Sequence, residues 1–147
     1  MAIELARTLA QPRPWGLVDL RPWSNAGHES VRIGEIWYER PGKPASSSSL
    51  LLKLLFTSEP LSIQVHPDDG YAQSMGLPNG KSEAWYVLSA AAGAKVALGL
   101  KRRLTQQQLR EAVHDGSISD LVVWQTVLPD DVISVSAAPS ESAASHW

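Results

Sequence analysis

The sequence predicts an all-β protein of the sandwich or barrel type. Several apolar or alternating segments of strand length are separated by turn residues such as proline, glycine, serine and aspartate. By contrast, a complete set of helix start and stop signals occurs around residues 105–115. We therefore expect a sheet-based core accompanied by one short helix.

The N-terminal part contains two predicted strands. Proline and tryptophan punctuate residues 1–30, which predicts an irregular arm packed by its aromatic side chains. Residues 31–38 (VRIGEIWY) predict the first strand. Residues 50–56 (LLLKLLF) are almost continuously apolar, which is typical of a strand buried on both faces. Lys53, the single charge in that run, either points into a pocket or extends its ammonium into water at a strand edge.

The next segment, residues 61–66, alternates between apolar and polar side chains and predicts a strand. Its apolar face carries Leu61, Ile63 and Val65, and its polar face carries Ser62, Gln64 and His66. Residues 67–70 (PDDG) predict a turn. A further strand is predicted within residues 80–88 (GKSEAWYVL), where Glu83 begins an otherwise apolar face.

The one predicted helix has recognisable ends. Thr105 is a good N-cap, and Gln108 three residues later completes a capping box. Gly116 supplies a C-terminal stop. Residues 121–128 (LVVWQTVL) then predict another strand.

Composition restricts the class of protein. A chain of 147 residues with 44% hydrophobic residues fits one globular domain. A net charge of −2 gives no electrostatic reason to expect a nucleic-acid partner. There are no cysteines, so any metal must be bound by nitrogen and oxygen ligands. The first fifteen residues lack a long apolar stretch, so we expect no signal peptide, no membrane span and a cytoplasmic location.

Gln64, His66 and Glu83 are candidate metal ligands. Gln64 and His66 lie two residues apart in a segment with strand periodicity, so both side chains leave the same face. An amide oxygen, an imidazole and a carboxylate on adjacent strands suit a divalent metal such as zinc. The alternative is that these side chains form the solvated face of an ordinary antiparallel strand, and periodicity alone leaves both interpretations open.

The motif QVHPDD at residues 64–69, followed by GKSEAWYVL, resembles the signature of the type I mannose-6-phosphate isomerases. Further segments that resemble a short bacterial branch of that family are RPWG at 13–16, IGEIWY at 33–38, LLKLLFTSEPLSIQVHPDD at 51–69 and GLKRRLTQQQL at 99–109. The resemblance implies a cupin-type (jelly-roll) β-barrel or sandwich over residues 1–135, incomplete at its C-terminal side. A divergent, disordered tail would follow at residues 136–147.

The resemblance also implies roles for individual residues. Zinc, as one divalent ion, would be held by Gln64, His66 and Glu83. Ser62 and Lys81 would lie in the substrate pocket, with Lys81 as a catalytic residue. Apart from the resemblance, Lys53 would be a second cation for an anionic sugar phosphate if its side chain points into that pocket. The implied reaction interconverts mannose 6-phosphate and fructose 6-phosphate, in which zinc acts as a Lewis acid.

The C-terminal segment departs from the family pattern. The fourth zinc ligand of the family, a histidine, would fall at position 141, which is Glu141, and a later active-site arginine has no counterpart. Because the change is abrupt, we interpret the tail as a truncation caused by a frameshift. Glu141, His146 or a water molecule are the alternatives for the fourth ligand.

Two other functions compete with an isomerase. A non-catalytic cupin that binds metal and a sugar phosphate is favoured by the missing histidine and arginine. A cupin oxygenase that uses iron is disfavoured, because His66 is the only histidine of the motif region. Loss of terminal strands would leave a sheet edge uncovered, so we also expect a homodimer formed through that edge.

Overall fold

The computed structural model describes residues 3–27, 30–42, 49–64 and 66–137. Contacts between Cα atoms divide the chain into two units, Met1–Ser62 and Ile63–Trp147, and each is described by itself.

The first unit is built on a three-stranded antiparallel sheet in the order β1-β2-β3. Its strands are β1 (Arg7–Leu17), β2 (Ile33–Glu39) and β3 (Leu52–Leu55). The central strand β2 carries the most deeply buried side chain of the sheet, Ile36, which is fully enclosed. Ile36 belongs to a core cluster with Leu20, Ile33 and Phe56. The strand predicted at residues 31–38 is therefore confirmed, shifted by two residues at its start.

The N-terminal arm is not irregular as predicted, because it contains the eleven-residue strand β1. The prediction was wrong because it treated the prolines as signals of irregular structure. Pro12 and Pro14 lie inside the strand, and the pairing with β2 shifts register between Gln11 and Pro12 and again between Pro12 and Leu17. Proline lacks a backbone N–H and is tolerated at edges and bulges, and β1 is the first strand of the sheet order.

The prediction that residues 50–56 form a strand buried on both faces is wrong in its burial. The strand exists as β3, but Leu52 is 64% exposed and Leu55 is 41% exposed. Among the described residues β3 pairs with β2 alone and ends the sheet order, so it is an edge strand whose side chains have neighbours on one side only.

The described residues of the second unit form two two-stranded antiparallel sheets and three short helices. In chain order its elements are α1 (Asp69–Ser74), β4 (Glu83–Tyr86), β5 (Lys95–Leu100), α2 (Gln106–Asp115), α3 (Ile118–Leu121), β6 (Val122–Thr126) and β7 (Val132–Val135). One sheet pairs β4 with β7, and the other pairs β5 with β6. The strands predicted near Glu83 and within residues 121–128 are confirmed as β4 and β6.

Helix α2 forms as the sequence predicts. The Thr105 hydroxyl accepts a hydrogen bond from the Gln108 backbone N–H at 3.2 Å, and the Gln108 side chain accepts from the Thr105 backbone N–H at 3.0 Å. Gly116 follows in the left-handed conformation, with φ at 81°. The expectation of only one helix is wrong, because α1 and α3 are also present.

The alternating segment at residues 61–66 is not a strand where it is described. Residues 61–64 are irregular, and Ile63, placed on the buried face by the prediction, is 42% exposed. In the part of the chain that the structure describes, no strand pairs with this segment, so alternation has no ladder to stabilise it. The predicted PDDG turn is instead the start of α1, where Asp68 is the N-cap.

The described strands thus dominate the architecture and remain in three separate sheets without closing into a barrel. Each strand of a two-stranded sheet has an outer edge, so self-association through an edge stays a prediction. None of the described helices has the length and apolar character needed to cross a membrane.

Candidate metal and substrate site

Three of the predicted site residues meet in the second unit. The Lys81 ammonium lies 2.7 Å from Glu83 Oε1 and 3.2 Å from His66 Nε2. His66 Nε2 and Glu83 Oε2 are 3.9 Å apart. The His66 and Glu83 side chains are largely enclosed, at 23% and 15% exposure, whereas that of Lys81 is 47% exposed. The prediction that these three residues lie together is therefore consistent with their placement.

A backbone clamp brings these sequence-distant residues together. The Lys81 backbone N–H donates to the Pro67 carbonyl at 3.1 Å, and the Gly80 N–H donates to Asp69 Oδ1 at 2.8 Å. A Cβ at Gly80 would collide with the backbone of residues 67–69, so only glycine permits this approach. Asp68 also caps α1 by accepting from the Tyr71 N–H at 2.8 Å, which fixes the end of the clamp next to His66.

Strand pairing fixes the direction of Glu83. Glu83 lies opposite Val135, and Trp85, two residues on, lies opposite Ile133. Alternate residues share a face, so Glu83 begins an otherwise apolar stripe, as the sequence predicts. The carboxylate is thus presented on the side of β4 from which it reaches Lys81 and His66.

The contacts of the Lys81 ammonium set the direction of the hydrogen bond to His66. A lysine ammonium has only N–H donors, so His66 Nε2 must accept its hydrogen bond through the ring lone pair. Both His66 and Glu83 consequently direct electron pairs toward one cation.

These donors fit a divalent metal. Zinc is bound tetrahedrally by imidazole nitrogen and carboxylate oxygen at ~2.1 Å, which separates two ligand atoms by about 3.4 Å. The 3.9 Å between His66 Nε2 and Glu83 Oε2 is close to that value, so a small side-chain movement suffices. Gln64 has an exposed side chain two residues before His66. Among the described residues, no group of three or more histidine, cysteine, aspartate or glutamate side chains forms a metal cluster.

Lys53 and Ser62 belong to the first unit, and their predicted roles in substrate binding stay predictions. Ser62 has an exposed side chain. The Lys53 ammonium donates to Glu35 Oε1 at 2.9 Å. Lys53 lies on β3, the last strand of the sheet order, and its charge is paired with Glu35, so both alternatives for its role stay open.

Glu35 is a buried carboxylate that sequence analysis missed. Its Oε2 accepts from Arg13 and from the Trp37 indole N–H, both at 3.1 Å, while Oε1 accepts from Lys53. Glu35 is 7% exposed. The available signal was a glutamate inside the strand-like run IGEIWY, where an unpaired charge would be costly.

The surroundings of Glu35 shift its pKa. Burial by itself would raise the pKa of the carboxyl group. The hydrogen bond and positive charge of Lys53 oppose burial, and the Trp37 hydrogen bond and Arg13 charge add to them. The net effect holds the pKa of Glu35 below its ordinary value of 4.5.

The proposed fourth ligands, Glu141 and His146, lie outside the described residues, as does the tail at residues 138–147. His114, by contrast, is described and lies exposed in the last turn of α2.

Proteins named mannose-6-phosphate isomerases resemble this chain in sequence. A mannose-6-phosphate isomerase of Streptococcus mutans is 33% identical over 115 residues, which are 76% of this chain and 36% of that protein. A probable mannose-6-phosphate isomerase of Bacillus subtilis, GmuF, is 31% identical over 108 residues, which are 70% of this chain and 34% of that protein. No family model matches the chain. The chain thus spans about a third of the length of these curated relatives.

A solved structure resembles the fold. The crystal structure of the mannose 6-phosphate isomerase from Bacillus subtilis superimposes with a TM-score of 0.74 at 24% identity. The match covers 90% of this chain and 52% of that one. The all-β, cupin-type fold expected from the sequence is therefore confirmed, with three short helices instead of one.

Gly80→Ala tests the backbone clamp. The added Cβ meets the backbone at residues 67–69, so the two segments must separate, and we expect an unfolding free energy lower by ~1–3 kcal/mol. Gly70→Ala is the matched control. A Cβ there meets only the Asp68 carboxylate oxygen at 3.6 Å, within helix α1, so stability should be kept or slightly raised. Equal effects of both substitutions in urea unfolding would contradict the clamp.

The Glu35 cluster predicts a pH dependence of stability. Because the folded-state pKa of Glu35 is lowered, its charged form stabilises the fold above about pH 4.5, and this contribution is lost as pH falls through the folded-state pKa. Glu35→Gln should therefore destabilise the protein by ~1–3 kcal/mol at pH 7 and by much less at pH 3. Urea unfolding of both proteins at the two pH values measures this, and a pH-independent difference would contradict it.

Proposed function

We propose that this chain, a relative of the mannose-6-phosphate isomerases, is a zinc-dependent sugar-phosphate isomerase that interconverts mannose 6-phosphate and fructose 6-phosphate. Kinship in sequence and fold supports the class of enzyme. The observation that carries the proposal is that His66 and Glu83 both contact one cationic group, the Lys81 ammonium, at hydrogen-bonding distance.

Zinc fits this donor set. His66 and Glu83 would supply one nitrogen and one oxygen ligand, and Gln64 would add an amide oxygen. When bound, zinc would polarise the carbonyl and hydroxyl oxygens of the open-chain sugar as a Lewis acid.

The remaining chemistry depends on residues of the chain. Aldose–ketose interconversion moves a proton between adjacent carbons, and a correctly oriented sugar lowers that barrier substantially. Lys81 is the residue best placed for this work, because its ammonium lies beside both candidate ligands and its side chain is half exposed. We assign it the catalytic role and contact with the anionic substrate. Ser62 and Lys53 are proposed as further substrate contacts, although Lys53 would have to leave its ion pair with Glu35.

A non-catalytic protein that binds metal and a sugar phosphate is the second candidate. The same side chains would serve it, because His66 and Glu83 can hold a metal and Lys81 can contact a phosphate without any further chemistry. Such a protein would keep the His66–Glu83 pair and lack turnover.

An enzyme-coupled assay for fructose 6-phosphate formation separates the two candidates. We expect the purified chain with added zinc to convert mannose 6-phosphate, and His66→Ala to lower the rate by at least ~100-fold, because a metal ligand is lost. His114→Ala is the matched control, since this histidine is exposed in the last turn of α2 and should leave the rate unchanged.

Two results would contradict the isomerase. Stoichiometric zinc binding without turnover would favour the binding protein. Turnover that survives His66→Ala would show that the reaction does not depend on this site.

A further inference from the structure

Lys81 occupies the place that a metal ion would need. The single lone pair of His66 Nε2 accepts an N–H of the Lys81 ammonium at 3.2 Å. The same ammonium forms a short ion pair with Glu83 Oε1 at 2.7 Å. One positive group therefore uses electron pairs from both residues that the proposed function assigns to zinc.

Zinc and this arrangement of Lys81 exclude one another at His66. An imidazole nitrogen has one lone pair, so it cannot accept a hydrogen bond and ligate a metal at the same time. Glu83 has more lone pairs, but a divalent ion on the carboxylate repels an ammonium held 2.7 Å from one of its oxygens. Metal loading must move Lys81.

We propose that Lys81 is a built-in counter-ion of His66 and Glu83, which competes with zinc for these two side chains and is displaced when zinc binds. In this arrangement it neutralises a carboxylate side chain that is only 15% exposed, and it keeps both candidate ligands facing one point. This inference rests on the proposed function. It adds that zinc binding and the release of the Lys81 ammonium from His66 and Glu83 occur together. The released ammonium can then contact an anionic sugar.

The side chain of Lys81 has room for this movement. It is 47% exposed and carries a flexible four-carbon stem, whereas its backbone is fixed by the hydrogen bond to Pro67. Displacement therefore requires rotation of the side chain alone, with the clamp at Gly80 intact.

Zinc affinity of substituted proteins tests the competition. Affinity is measured by titration against a chromogenic chelator, without sugar, for the wild type, Lys81→Met and Lys95→Met. Removing the competing ammonium should tighten zinc binding about fivefold in Lys81→Met, the equivalent of one partly exposed ion pair. Lys95→Met makes the same change of charge on β5 and should leave the affinity unchanged.

Carbon-13 NMR of the lysine side chains gives a second readout on the wild-type protein. The Cε resonance of Lys81, identified by its absence in Lys81→Met or, if that variant does not fold, in Lys81→Arg, should shift with one equivalent of zinc. The Cε resonance of Lys95 should not.

The outcomes separate the inference from the function on which it rests. Tighter binding in Lys81→Met together with a zinc-dependent Lys81 resonance supports the competition. Zinc binding that depends on His66 but is equal or weaker in Lys81→Met overturns the competition and leaves the metal site standing. Absence of zinc binding by the wild type overturns both.

Discussion

The close approach between residues 67–69 and Gly80 is the constraint on which the candidate site depends. His66 precedes this contact, and Lys81 and Glu83 follow it. One backbone hydrogen bond and one hydrogen bond from the Gly80 N–H to the Asp69 carboxylate therefore set the distance between the candidate ligands. The segment before His66 is not a strand where it is described, because residues 61–64 pair with no strand among the described residues. The clamp and the pairing of β4 with β7 therefore replace an adjacent-strand arrangement as the source of the geometry.

The elements predicted correctly from the sequence are those whose signals are local. Helix α2 depends on a cap, a capping-box partner and a glycine stop, all within its own sequence. Strand β4 was likewise predicted from a short motif, and the 3.9 Å between His66 Nε2 and Glu83 Oε2 is consistent with the motif-based prediction that these residues lie together. The strand prediction around Ile63 is wrong because it depends on a distant signal. A strand needs a partner strand, and alternation of side chains does not reveal whether a partner exists.

Long-range charge pairing could not be derived in this way. Lys53 stood out in its apolar run, yet its partner Glu35 lies on another strand, and register decides which residues meet. The two lysine–carboxylate pairs also differ. Glu35 is saturated by three donors and less than a tenth exposed, which suits a fixed structural group. Glu83 is paired with a half-exposed lysine that can move, which suits a site that exchanges its cation.

The most direct test of the account is X-ray absorption at the zinc edge on the stoichiometrically loaded chain, paired with metal analysis of the wild type, His66→Ala and Glu83→Gln. The account predicts one zinc per chain, bound only by nitrogen and oxygen ligands and including one imidazole, and loss of that zinc in both variants. Retention of the zinc in both variants, or a wild-type chain that binds none, would contradict it.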